Sequence, residues 1–170
     1  MAQPRVGILM GSDSDLPIME EAGAVLDQMK VPYEILICSA HRSPDKAVQY
    51  AREAEGRGVK VLIAGAGAAA HLAGILAAHT HLPVIGVPLS SGPLHGLDSL
   101  LSTAQMPSGV PVATMALDRA GARNAAILSA QILALHDPQL ARRLKRHKEK
   151  MAQEVEEKDR QLKMRKEKSG

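Results

Sequence analysis

The feature that most constrains this chain is a repeated alternation. Short, uninterrupted apolar runs are each followed by a small-residue loop and then by a longer amphipathic stretch. Runs of that length bounded by turn residues read as strands, and the 3.6-residue periodicity after them reads as helices. Strand and helix in strict alternation predict a parallel sheet covered on both sides by helices. The expected strands are Val6–Met10, Tyr33–Ile37, Val59–Ala64, Val84–Val87 and Val112–Met115. Their continuous apolar character suits burial on both faces. Helices are expected near Pro17–Met29, Pro44–Glu55, Ala69–His79, Leu97–Ser102 and Ala122–Leu135, with Pro17 and Pro44 in first turns that tolerate proline. The fold class is therefore α/β, a three-layer α/β/α sandwich around a central parallel sheet, spanning residues 1–137. A charged helix or tail over residues 138–170 follows, with a sparse apolar pattern at Leu140, Leu144, Met151, Val155, Leu162 and Met164.

Charge is unevenly divided. From Ala141 onward there are 12 Lys and Arg against 6 Asp and Glu, whereas residues 1–140 carry 9 against 12. The basic pI of about 9.1 thus belongs to the tail, and with only two aromatic residues, both Tyr, no stacking platform for nucleic acid is expected. No apolar run is long enough for a bilayer span, so no membrane partner is expected. The single cysteine, Cys38, excludes an internal disulfide, and the chain enters its first strand without a leader-like segment, which predicts a cytoplasmic protein.

In a parallel sheet the loops leaving the strands' C-terminal ends gather along one edge, where ligands bind. Four such loops carry chemistry. Gly11-Ser12-Asp13-Ser14-Asp15 precedes a helix, so its free N–H groups and the serine hydroxyls suit a phosphate, while an aspartate there suits ribose hydroxyls. Ser14 or Asp15 acting only as a helix cap is the alternative. Ser39-Ala40-His41-Arg42-Ser43-Pro44 places a proton carrier beside a bidentate anion ligand and ends in a good cap, Ser43. A structural histidine beside a surface arginine is the plain alternative. The run Ala64 to Leu72 is glycine-rich but lacks the full dinucleotide spacing, and it brings Gly67 and His71 toward a ligand. His71, as a lone histidine near a helix start, also fits a structural role. The loop from Ser90 to Gly96 has the composition of a lid or subunit contact. The pair His79 and His81 lacks further ligands, so no metal is expected. Neither a Walker loop nor a nucleophile elbow is present.

Taken in order, GSDSD (11–15), SAHRSP (39–44), AGAGAAAHLAG (64–74), LPVIGVPL (82–89), GLDSLLSTAQMPSGVPVAT (96–114) and AGARNAAILSAQIL (120–133) resemble the PurE family of purine biosynthesis, class I, over residues 5 to 136. The resemblance implies a flavodoxin-like fold and a homo-octamer with sites shared between neighbours. It implies a mutase that converts N5-carboxyaminoimidazole ribonucleotide to 4-carboxy-5-aminoimidazole ribonucleotide without metal or cofactor. By matching position, His41 is the general acid and base. Ser12, Ser14 and Asp15 contact the ribonucleotide, and Ser39, Ala40 and Arg42 form the phosphate side. Gly67, Ala68, His71 and Leu72 border the base and the migrating carboxylate. Where the family usually reads AGAGGAAHLPG, this chain has alanine for one glycine, at 68 or 69, and Ala73 for proline. A second class of the family, which carboxylates aminoimidazole ribonucleotide directly with CO2, shares the SAH loop. The intact His71-Leu72 pair favours the mutase. A catalytically silent nucleotide-binding protein is the remaining alternative.

Overall fold

The computed structural model describes residues 3–167. The last three residues of the expected tail, 168–170, and the first two of the chain lie outside the described residues. Five parallel strands, β1 (Val6–Met10), β2 (Tyr33–Ile37), β3 (Val61–Gly67), β4 (Val84–Leu89) and β5 (Ala113–Thr114), form one sheet in the order β2-β1-β3-β4-β5. Helices α1 (Leu16–Gln28), α2 (Pro44–Glu53), α3 (Leu72–Ala77), α4 (Leu97–Ala104) and α5 (Asp118–Ala134) cover it, and α6 (Pro138–Glu167) follows.

Alternation along each strand sends side chains to two cores. Val6, Ile8 and Met10 of β1 pack with Met19 and Leu26 of α1 and with the alanines 122, 125, 126 and 130 of α5. Leu9 and Leu62 face the other way, onto Ala47, Tyr50 and Leu76 of α2 and α3. Small residues let helices approach closely. A Cβ at Gly7 would lie 2.2 Å from the Tyr50 hydroxyl, so the strand needs glycine where that ring docks. Tyr50 donates to Glu34 at 2.7 Å, and Arg57, which pairs with the same carboxylate at 2.9 Å, stands 4.7 Å from the ring centroid. Burial and the glutamate together push the Tyr50 phenol far above its usual range.

Several expected boundaries move. β3 runs to Gly67 because Ala66 and Gly67 pair with Pro88 and Leu89 of β4, so the glycine-rich segment is the end of a strand. α3 begins only at Leu72, since Ala68 takes a left-handed backbone, φ 51°, that interrupts a helix. α5 begins earlier than expected, at Asp118, and β5 is reduced to two residues. β2 is an edge strand, so its residues are half-buried or, at Ile37, 46% exposed, and two-sided burial holds only for the three central strands. At the entry to α6, Asp137 accepts from Gln139 and Leu140 N–H, both at 3.0 Å, a cap that holds its carboxyl below the usual range. Leu140 and Leu144 anchor α6 against the domain, and beyond His147 every described side chain is exposed. No helix among the described residues is long and apolar enough to cross a membrane.

Candidate active site

The strand order reverses between β1 and β3, with α1 and α5 on one side of the sheet and α2 and α3 on the other, and the crevice this opens at the strands' C-terminal ends is the expected place for a ligand. A cavity of about 310 Å³ lies there, walled by the loops after β1, β2 and β3 and closed on one side by Ser91 after β4.

After β1, Ser12 caps a single 3-10 turn, Asp13–Asp15, that leads into α1. Its hydroxyl accepts from Ser14 N–H at 3.4 Å, and its own N–H donates to the Asp15 carboxylate at 3.2 Å, completing a reciprocal cap. Asp15 makes no side-chain cap to α1 itself. The reciprocal pair holds Asp15 at the cavity wall, and burial pushes its carboxyl above the ordinary value despite that hydrogen bond. A carboxylate so placed has lone pairs beyond the one Ser12 N–H uses and can accept from the hydroxyl groups of a ligand.

After β2, the chain folds back on itself through serine. Ser39 N–H donates to Ser43 Oγ at 3.2 Å, Ser43 Oγ donates to the Ser39 carbonyl at 3.1 Å, and Arg42 N–H donates to Ser39 Oγ at 3.1 Å. Ser43 was expected to cap α2; its hydroxyl instead closes this loop, and α2 starts without a side-chain cap. His41 and Arg42 of this loop both line the cavity.

The third wall carries His71, immediately before α3. His41 Nε2 stands 2.7 Å from His71 Nδ1, with the two rings edge to face at 81° and centroids 4.8 Å apart. One proton can sit between these nitrogens, so the pair can exchange a proton with a ligand at this wall of the cavity. Ala70 N–H donates to Ser102 Oγ at 3.1 Å, which ties the segment before His71 to α4.

The expected residues Ser12, Ser14, Asp15, Ser39, Ala40, His41, Arg42, Gly67, His71 and Leu72 all line this one cavity, along with Gly11, Ala66, Ala69 and Ser91. Ala68 does not; its left-handed turn takes it out of the wall. Ser91 was not singled out beforehand. Its signal was a serine next to glycine in the loop after a central strand, and it reaches the cavity because Ser90 is pinned by Asp118, which accepts from Ser90 N–H at 2.8 Å and from its hydroxyl at 2.5 Å.

A family model described as AIR carboxylase matches residues 5–154. The chain belongs to the AIR carboxylase family. Among family members, it is 57% identical over 159 residues to the N5-carboxyaminoimidazole ribonucleotide mutase of Thermotoga maritima, covering 94% of this chain and 92% of that protein. It is 56% identical over 160 residues to the mutase of the same name from Bacillus subtilis, covering 94% and 99% respectively. Among solved structures, that of Treponema denticola PurE superposes with a TM-score of 0.81 at 31% identity, covering 94% of this chain and 98% of the other. The AIR carboxylase frame therefore accounts for the sheet, its helices and part of α6. No cluster of three or more potential metal ligands occurs among the described residues.

Proposed function

We propose that this chain is an N5-carboxyaminoimidazole ribonucleotide mutase of purine biosynthesis, an isomerase that moves a carboxylate from the exocyclic nitrogen to C4 of the imidazole. The observation that carries the reading is the His41–His71 pair at 2.7 Å in a cavity whose other walls supply Arg42, four serines and a partly buried aspartate. Arg42, with Ser39 and the backbone around Ala40, holds the 5′-phosphate. Asp15 accepts from the ribose hydroxyls, and Ser12 and Ser14 fix the same end. Gly67, His71 and Leu72 border the imidazole.

His41 donates a proton to the carbamate nitrogen as its bond to the carboxylate carbon breaks, the electron pair returns to nitrogen, and CO2 is released into the cavity. C4 then attacks the CO2 carbon, forming the new carbon–carbon bond. The proton displaced from C4 returns to His41, which ends as it began, acid first and then base. His71 at hydrogen-bonding distance gives His41 a partner in both states. Retaining CO2 between the steps is a proximity effect that demands exclusion of water.

We further place the protein in the cytoplasm as a homo-octamer whose neighbouring copies complete the cavity wall. Supporting the assembly, Leu94, Leu97 and Leu101, in the loop and helix that follow Ser91, are 58%, 56% and 49% exposed. The deciding experiment is a spectrophotometric assay with N5-carboxyaminoimidazole ribonucleotide beside one with aminoimidazole ribonucleotide and bicarbonate. Conversion of the carbamate substrate is expected. Turnover of aminoimidazole ribonucleotide alone would make the protein a direct carboxylase, and silence on both would leave a nucleotide-binding protein.

A further inference from the structure

The loop over residues 90–96 has little of its own to hold it. Ser90 through His95 are exposed, and Gly92, His95 and Gly96 take left-handed backbone, with φ of 95°, 50° and 88°. Its internal backbone bonds are two short turns, His95 N–H to the Gly92 carbonyl at 3.3 Å and Leu97 N–H to the Leu94 carbonyl at 3.1 Å. Exposed backbone with few buried contacts opens easily. The two ends of the loop, by contrast, are pinched together. The buried Ser99 hydroxyl lies 2.8 Å from the Leu89 carbonyl oxygen and 3.0 Å from that of Gly96. Gly96 also comes so near Ser90 that an added Cβ would lie 3.2 Å from Ser90 Cα.

The grip on this loop comes from the start of α5. Asp118, the first residue of that helix, accepts from Ser90 twice: Oδ1 takes the N–H at 2.8 Å and Oδ2 takes the hydroxyl at 2.5 Å. Leu117, just before it, covers the other end of the loop, since a Cβ on Gly96 would meet Leu117 Cδ2 at 2.6 Å. Arg119, just after it, pairs with Glu21 of α1. Hydrogen bonds to a carboxylate are the stronger kind, and two from one residue fix the direction of the chain as well as its place. Asp118 makes them from a strained position. Its own φ is 55°, left-handed backbone that an L residue adopts with difficulty and that aspartate tolerates better than most. Glycine there would relieve the strain and lose both bonds. One residue beyond Ser90, the constraint reaches the chemistry. Ser91 lines the cavity, and it lies so close to Gly67 at the end of β3 that a Cβ on Gly67 would collide with its hydroxyl.

We infer, resting on the mutase reading, that Asp118 is a positioning residue for the reaction: by gripping Ser90 it keeps Ser91 against Gly67 and so closes the cavity beside the imidazole while CO2 is held between the two steps. Asp118 touches no ligand and acts through Ser90 and Ser91. Its contribution falls in the middle of the reaction, after the bond from nitrogen to the carboxylate carbon has broken. A wall that opens then lets CO2 escape. The nitrogen keeps the proton that His41 gave it, the ring is left as aminoimidazole ribonucleotide, and His41 takes its next proton from water.

Asp118→Gly in the full-length protein separates this role from a structural one. Relief of the left-handed strain offsets the lost bonds, so the melting temperature should change little. The readout is the fate of the carboxylate, followed with carbon-13 in that group of the substrate and unlabelled bicarbonate in solution. The parent should carry most of the label to C4. Asp118→Gly should release about tenfold more of it, beyond the spontaneous loss measured without enzyme, with a matching rise in aminoimidazole ribonucleotide. Asp118→Asn tolerates the same backbone and keeps an oxygen acceptor, so it should retain label nearly as the parent does. Ser90→Ala keeps the N–H bond and should fall between, and adding it to Asp118→Gly should change nothing more because the pair acts as one unit. Label retention in Asp118→Gly equal to the parent's overturns the inference, as does a loss that merely follows the folded fraction across the variants. Amide exchange over residues 90–96, measured without substrate, keeps the two readings apart, and it should quicken about tenfold in Asp118→Gly. Unchanged exchange overturns the role of Asp118 even in an active enzyme. Quickened exchange beside a parent that converts no carbamate leaves Asp118 as the holder of the loop and tells against the mutase reading alone.

Discussion

His41 Nε2 and His71 Nδ1 lie 2.7 Å apart although 30 residues separate them in sequence, and only the adjacency of the loops after β2 and β3 brings them together. This pairing sets the first expectation. Replacing His41 with Asn removes the proton carrier and should lower kcat by about 10²–10⁴-fold with substrate binding retained. His71→Asn should cost less, and the double variant should cost less than the product of the two single effects because both act through one hydrogen bond. Steady-state rates and calorimetric binding of the ribonucleotide check both statements.

Among the described residues lining the cavity Arg42 is the only guanidinium, and its backbone N–H is held by Ser39 Oγ at 3.1 Å. Arg42→Lys keeps the charge but loses the planar fork, so KM should rise about tenfold with kcat little changed. A variant whose kcat falls while KM stays constant would take Arg42 away from the phosphate.

Asp15 has a pH signature. Burial raises its folded-state pKa above that of the unfolded chain, so the native state holds more protons between those two values. Stability contributed by this group is therefore highest below the unfolded pKa and falls as pH rises through the folded one. Asp15→Asn should accordingly gain stability relative to the parent as pH rises through the carboxylate range, in urea unfolding, while losing about tenfold or more in kcat/KM. In the parent protein KM should worsen on acidification sooner than for an aspartate of ordinary pKa.

Two glycines should fail in different ways. At Gly121 an added Cβ would lie 1.7 Å from the Ala116 carbonyl oxygen, a backbone atom that cannot turn aside, so Gly121→Ala should destabilise the fold by about 1–3 kcal/mol or more. At Gly67 the nearest atoms are the hydroxyl and Cβ of exposed Ser91, at 1.7 and 2.9 Å, so the loop after β4 must shift where the hydroxyl alone cannot relieve the contact. Gly67→Ala should therefore lower the melting temperature less than Gly121→Ala and raise KM, since Ser91 is displaced at the cavity wall.

Much of this molecule was legible in one dimension because its signals are local. The apolar runs at Val6–Met10 and Val84–Leu89 are strands wherever they occur, and Ser12 through Asp15 carries its own cap within four residues. What escaped notice depends on neighbours. β3 extends past Ala64 because β1 and β4 both pair with Gly65 and β4 continues the ladder through Gly67. Ser43 looks like a helix cap until Ser39 turns back to meet it. Ala68 matches a ligand-bordering position in the motif, yet its left-handed φ removes it from the wall.

The order of strands and helices, the basic tail and the set of residues able to do proton and phosphate chemistry are written in the chain alone, because periodicity, capping and side-chain type are properties of neighbouring positions. Packing in three dimensions places β1 between β2 and β3, lets His41 share a hydrogen bond with His71, pins Ser90 on Asp118 so that Ser91 lines the cavity, and buries Leu140 and Leu144 of α6 while Met151, Val155 and Leu162 stay exposed. Those are distances between residues far apart in the chain, set by the packing of two cores on one sheet.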